Sequence, residues 1–288
     1  MTEGQPRILM GIDGSEDGLR AARYGIGRAL RRGGDLWFVN AVDDGVISGG
    51  WGIVYDPMVL KEAGAAAIGQ ARDLAQAEGI APERIVSDVI IGNPSAVLAR
   101  CSKQADLMIV GRRATSGLER MFVGSTSTSL VTAAGCPMIV ISAASTPETT
   151  GAFRKITVAV GGAGDHALRW ACQEAVAREV PVEVVHVVPY QPTSLVSFLP
   201  SALTQERDWD ERVRAGLEEL VTPVRRDFPG VELRLRSERG VLAEELIQES
   251  AQTDLLVVGL RPRPMIMPPG PLRAVLAHAA CPVALIGR

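Results

Sequence analysis

The residues best suited to chemistry lie in two short stretches, GIDGS at 11–15 and GRRATSGLERMFVGSTS at 111–127. In the second stretch, Gly111 and Gly124 bracket a loop, and Ser125, Thr126 and Ser127 read as the start of a helix. Small hydroxyl residues at such a start cap free backbone N–H groups. The same N–H groups, together with the helix dipole, bind phosphate. A glycine at 124 would let the backbone approach an anion closely. In the first stretch, Asp13 ends an apolar strand with a carboxylate that could bond a ribose hydroxyl or help hold a metal. An ordinary turn with an ordinary cap accounts for the loop equally well on composition alone. No Gly-Lys-Ser/Thr triplet of the Walker A kind is present, and no dinucleotide fingerprint leads out of the first strand.

Other polar residues suggest less. His166, His186 and His278 have no catalytic spacing with Ser, Cys or Asp, although sets assembled in space stay open. His186 lies within an apolar run and reads as a satisfied core histidine. Cys101, Cys136, Cys172 and Cys281 lack metal-ligand spacing and read as buried reduced thiols. Asp43 and Asp44 read as solvated turn acids. Trp51 and Tyr55 sit in a glycine-bearing segment that is either a flap over a crevice or a plain surface loop.

The chain has 288 residues, enough for two domains of about 140 residues, each able to bury a core. A composition of 47% hydrophobic and 22% charged residues is that of a globular protein, and a net charge of −3 points to neither a nucleic-acid nor a membrane partner. The polar start MTEGQPR lacks the pattern of a signal peptide, and no apolar run is long enough to span a bilayer. The expected location is the cytoplasm.

Internal similarity organises the chain. ILMGIDGSEDGLRAARY at 8–24 corresponds to ITVAVGGAGDHALRW at 156–170, and WFVNAV at 37–42 to VEVVHVV at 182–188. GNPSAVLARCSKQADLMIVG at 92–111 corresponds to GVLAEELIQESAQTDLLVVG at 240–259, and AAGCPMIVI at 133–141 to HAACPVALI at 278–286. The common order indicates a duplication, with units at 1–146 and 152–288 and a small, polar linker at 142–151. Within each unit strands alternate with helices. IVSDVII, LMIVG and PMIVI are continuous apolar runs, as in a parallel sheet covered on both faces. The expected fold is α/β, two doubly wound, Rossmann-like domains in tandem. With strand order 3-2-1-4-5, ligands would bind between the ends of the first and fourth strands, at Asp13 and Gly111.

Gly111, Ala114, Gly124 and Ser125 follow the spacing Gly-x2-Gly-x9-Gly-Ser/Thr, with alanine in place of the second glycine. Together with GIDGS, this resembles the nucleotide-binding universal stress proteins, and the resemblance covers both halves. It implies an ATP site (or one for ADP or AMP) with Mg²⁺ held indirectly through the phosphates and Asp13. Asp13 would lie near the ribose, in the setting of Gly14 and Ser15. The second strand at Asn40-Ala41 would meet adenine through its backbone. Gly11, Val110 and Gly111 would line base and ribose, and Gly124, Ser125, Thr126 and Ser127 would hold the phosphates. Arg112, Arg113 and Arg120 would add charge. If position 114 needs a left-handed backbone, Ala114 costs roughly 1 kcal/mol, a factor of less than about ten in affinity.

The second half departs from this pattern. Gly161 stands where the first half has Asp13. The loop after Gly259 carries Pro262, Pro264, Pro268 and Pro269 and no Ser/Thr run, so donors are missing. No nucleotide is expected there, and binding should be one per chain. The resemblance implies an ATP-binding regulator of stress response or dormancy. At most a slow ATPase is expected, since no general base stands out. A structural or interaction module with vestigial sites is the alternative. An enzyme of the related adenine-nucleotide α-hydrolase class would need a substrate domain for which the chain has no room. Members of the family dimerise through their last strands. Here PMIVIS at 137–142 and PVALIG at 282–287 are expected to pair antiparallel within one chain, covering two apolar edges. A homodimer of whole tandem chains stays open.

Overall fold

The computed structural model describes residues 5–43, 56–112, 125–142, 144–145, 154–161, 165–189, 200–260 and 270–287, with backbone alone at 57, 125 and 200–210. The first half runs β1 (Arg7–Gly11), α1 (Glu16–Arg32), β2 (Asp35–Val42), α2 (Pro57–Ala77), β3 (Ile85–Ile91), α3 (Pro94–Ser102), β4 (Leu107–Gly111), α4 (Ser125–Ala133) and β5 (Met138–Ile141). The second repeats it as β6 (Ile156–Ala159), α5 (His166–Arg178), β7 (Val182–Val188), α6 (Pro200–Asp227), β8 (Leu233–Arg239), α7 (Leu242–Ser250), β9 (Leu255–Gly259), α8 (Gly270–His278) and β10 (Val283–Ile286).

Local sequence explains the helix starts. Ser15 caps α1, with Glu16 and Asp17 in its first turn and Arg31 and Arg32 in its last, so both ends oppose the helix dipole. Asp56 and Asn93 cap α2 and α3, each followed by a proline whose missing N–H would have had no partner there.

All ten strands form one sheet, ordered β3-β2-β1-β4-β5-β10-β9-β6-β7-β8. Each half thus has the expected doubly wound order, and neighbours within a half run parallel. The halves join where β10 pairs antiparallel with β5, with Ala284 opposite Ile139. The intramolecular pairing expected from the last strands is therefore present, and domains hung independently on a linker are excluded. The start of that linker is anchored. Ser142 and Ser145 are buried, the Ser142 N–H donates to Ser145 Oγ at 3.0 Å, and the Ser142 hydroxyl donates to the Ala279 carbonyl at 3.4 Å.

Helices α1, α2, α5 and α6 cover one face, and α3, α4, α7 and α8 the other. Each face buries a cluster containing residues from both halves, so the core runs unbroken across the β5–β10 junction. One expectation needs correction. IVSDVII is expected to be covered on both faces, yet it carries Ser87 and Asp88 and forms the edge strand β3 of the sheet, half-buried with Asp88 and Ile91 exposed. A shared core predicts one unfolding transition, with calorimetric and van't Hoff enthalpies in agreement. Two separate transitions would show that the halves are stable independently.

Candidate functional site

The β1 strand ends at Gly11, and the chain continues through Ile12 and Asp13 to Gly14, whose φ of +80° lies in the left-handed region that disfavours side chains. This turn delivers Ser15 to the start of α1. The Ser15 hydroxyl accepts from the Gly18 N–H at 3.0 Å and donates to Asp13 Oδ1 at 2.6 Å. The Ser15 N–H donates to the same oxygen at 3.0 Å. Both donors engage Oδ1, and a carboxylate has further acceptor capacity for a ligand. Asp13 is open to solvent at the cleft mouth, but surrounding protein atoms desolvate it. Desolvation outweighs the two Ser15 hydrogen bonds and raises its pKa above the ordinary carboxylate value.

Asp13 and Gly14 form one wall of a cavity of about 230 Å³, whose other walls come from Asn40 and Val42 at the end of β2, from Asp43 just after it, and from Leu60, Ala63, Gly64 and Ala67 of α2. The buried Asn40 side chain donates from Nδ2 to the Ile12 carbonyl at 2.7 Å, tying the ends of β1 and β2 together. Asp43, read from sequence as a solvated turn acid, is half-buried and lines this cavity.

The cleft lies on the β2 side of β1, whereas the expected crevice lay between β1 and β4. Close packing surrounds the two glycines at the ends of β1 and β4. A Cβ on Gly111 would stand 2.7 Å from the Asp17 carbonyl carbon, so the first turn of α1 rests directly on the end of β4. On the other face a Cβ on Gly11 would meet Leu98 at 3.1 Å and Val110 at 3.5 Å. Gly111 and Gly11 thus serve close packing at this point. Ala41 and Val110 also face α3 and its apolar cluster, away from the cavity.

Arg112 ties the end of β4 to the rest of the fold. Its guanidinium donates to the Ala277 carbonyl at the end of α8 in the other half, its N–H to the Ile141 carbonyl at 2.6 Å, and its own carbonyl accepts from Ser127 Oγ at 3.1 Å. Ser127 is buried, with its hydroxyl turned to that tie, and Thr126 is half-buried in the first turn of α4. Ser125 opens α4 and is described by its backbone. Ala114, Gly124, Arg113, Arg120, Asp44, Trp51 and Tyr55 lie outside the described residues.

Two glycines that matter here escaped the sequence reading. A Cβ on Gly18 would lie 2.6 Å from Asp13 Oδ1, and one on Gly64 would lie 2.3 Å from Asn40 Oδ1. Their signal was a glycine inside a helix, where it costs about 1 kcal/mol relative to alanine.

The family model described as "Universal stress protein family" matches residues 6–142 and again 152–287. The chain belongs to the universal stress protein family. Universal stress protein Rv2005c of Mycobacterium tuberculosis is 26% identical over 270 residues, covering 88% of this chain and 87% of that protein. A universal stress protein of Mycolicibacterium smegmatis is 27% identical over 264 residues, covering 88% and 86%. Among solved structures, a universal stress protein from Archaeoglobus fulgidus superposes with a TM-score of 0.70 at 16% identity, over 98% of this chain and 96% of that one.

The two universal stress domains differ at the site. Asn40 and His186 are equivalent by strand register, since Gly11 pairs with Val39 and Ala159 with Val185. His186 Nδ1 donates to the Val160 carbonyl at 2.9 Å, as Asn40 donates to that of Ile12. The histidine is thus satisfied structurally, as its apolar surroundings suggested. Gly161 stands open where Asp13 lies in the first domain, and residues 261–269 lie outside the described residues.

All four cysteines are free thiols, and burial pushes those of Cys136, Cys172 and Cys281 up to about 12, too high for a reactive thiolate. Among the described residues no three His, Cys, Asp or Glu side chains gather as a metal site, and no helix is long and apolar enough to cross a membrane.

Proposed function

We propose that the first domain binds an adenine nucleotide and that the protein acts as a nucleotide-dependent regulator, in stress response or dormancy, from the cytoplasm. The observation carrying this reading is the cleft at the end of β1, where a carboxylate held by Ser15 faces a pocket walled by Val42, Leu60 and Ala67. A partly apolar slot edged by two acids, Asp13 and Asp43, suits a nucleoside, whose base is flat and whose ribose hydroxyls donate. The cavity of about 230 Å³ falls below the roughly 300–1,000 Å³ typical of pockets that enclose whole drug-sized ligands. It therefore takes base and ribose, and leaves the phosphates, with any Mg²⁺, to the Gly111–Ser127 segment, including Ala114, Gly124 and Ser125. In this reading the site belongs to residues 1–146, the unit at 152–288 is degenerate, and Arg112 contributes through position, not contact.

Calorimetric titration with ATP and Mg²⁺ tests this directly. One site per chain is expected, and a stoichiometry near two would overturn the assignment to the first domain. Asp13→Asn removes a charged acceptor worth about 1.5–3 kcal/mol, so affinity should fall roughly ten- to a hundredfold. The sign on stability is opposite. A carboxyl with a raised folded pKa costs stability wherever it is ionised, above its unfolded pKa. Asp13→Asn removes that cost, so the free protein should melt higher at neutral pH. Absence of binding, with no nucleotide released from the purified protein on denaturation, would favour the interaction module.

A further inference from the structure

The α1–α5 contact beside the β5–β10 junction holds a buried charge cluster that the nucleotide site does not use. Glu174 is 1% exposed and accepts from Arg28 Nε at 3.2 Å and Nη2 at 2.7 Å, and also from Arg32. Arg178 stands 3.8 Å from its other oxygen and donates to the Tyr24 hydroxyl at 2.7 Å. Nearby arginines hold the Glu174 pKa low despite burial, with Arg28 the strongest. Every bond from Arg28 and Arg32 to Glu174 therefore crosses from one half to the other.

These positions are also equivalents. Arg23-Tyr24 and Arg169-Trp170 precede Leu36 and Val182 by the same spacing, and those two residues pair with Ile8 and Ile156 at matching places. In this register Ala21, Gly25 and Ala29 correspond to Ala167, Ala171 and Ala175, all six buried. Arg32 corresponds to Arg178, and Arg28 corresponds to Glu174. In a two-fold contact only residues beside the axis meet their own equivalents, and Arg28 bonds Glu174 there. Two first halves meeting through this face would bury Arg28 against Arg28 with both Arg32 side chains beside them, and no carboxylate. Two second halves would set Glu174 against Glu174.

We propose that the Arg28–Glu174 pair is a specificity lock: this surface fits a first half to a second half and rejects another first half. Duplication alone yields a self-complementary face. Opposite charge at one equivalent pair makes it accept one of each kind, because like charges desolvated together are strongly unfavourable. The partner for this surface is therefore the other half of the chain, and assembly of whole chains must use a different face.

Reciprocal substitution in the full-length chain tests the lock. Glu174→Arg gives the second half the first half's residue and so imitates the rejected contact within one molecule. Its Tm should fall by about 10 °C or more. Arg28→Glu imitates the contact of two second halves. It should lose less, because Arg32 and Arg178 remain to balance two carboxylates. The double variant carries the same pair reversed, and the flanking Arg32 and Arg178 exchange roles, so it should recover at least half of the loss seen in Glu174→Arg. If Glu174→Arg yields no soluble protein, recovery of soluble, folded chain in the double variant is the corresponding readout. A double variant as impaired as Glu174→Arg, or a Glu174→Arg chain melting like the parent, would overturn the proposal.

Discussion

Ala284→Glu should leave little or no folded protein. Ala284 is fully buried, sits opposite the equally buried Ile139, and belongs to the cluster that runs through both halves. An unpaired carboxylate there costs about 3–5 kcal/mol or more, against a total stability of about 5–15 kcal/mol for a typical domain. Because the core is shared, the loss should be felt in both halves together. Soluble yield and a urea midpoint by circular dichroism would measure it. Ile91→Glu is the matching control, since Ile91 is 42% exposed on an edge strand and a charge there should change stability by less than about 0.5 kcal/mol. A normal midpoint for Ala284→Glu would mean that the β5–β10 junction is not part of the core.

Gly64→Leu should abolish nucleotide binding, a loss of more than about a hundredfold, and leave the fold standing. Its Cβ would arrive 2.3 Å from Asn40 Oδ1, so Asn40 must turn and give up its bond to the Ile12 carbonyl. The rest of the leucine enters the cavity between Ala63 and Ala67. Stability changes little because two terms oppose each other. The lost hydrogen bond costs about 0.5–1.5 kcal/mol, and replacing glycine inside a helix returns about 1 kcal/mol. Gly69→Leu lies on the same helix with nothing within 4 Å of the added Cβ, and should bind normally while melting slightly higher. Titration of both variants with ATP, beside their melting curves, separates cleft from helix. Unimpaired binding by Gly64→Leu would place the ligand elsewhere.

Much of this protein is decided locally. Apolar runs define β3, β4 and β7 to the residue, and Ser15, Asp56 and Asn93 mark where three helices begin, because caps and strand periodicity act over a few residues. The repeat shows two halves of one fold, and two apolar last strands without other neighbours imply their pairing. Asp13 with Ser15 is legible too, since a strand end and a helix cap fall within three residues of each other.

What the sequence leaves open concerns close approach between distant segments. Gly111 reads as a strand end that opens a loop, and the sequence does not show that α1 rests directly on it. Arg112 is expected from the resemblance to add charge near the phosphates, and nothing in the sequence shows that it also reaches a carbonyl of α8, 165 residues away. Gly18 and Gly64 look like weak points of two helices until the carboxylate and amide beneath them are placed. Glu174 looks like a surface acid on a helix until the pseudo-two-fold axis brings Arg28 and Arg32 onto it. The physical reason is common to all four. Strand and cap signals depend on neighbours along the chain, whereas clearance and burial of charge depend on which helix faces lie together, and only the packed sheet decides that.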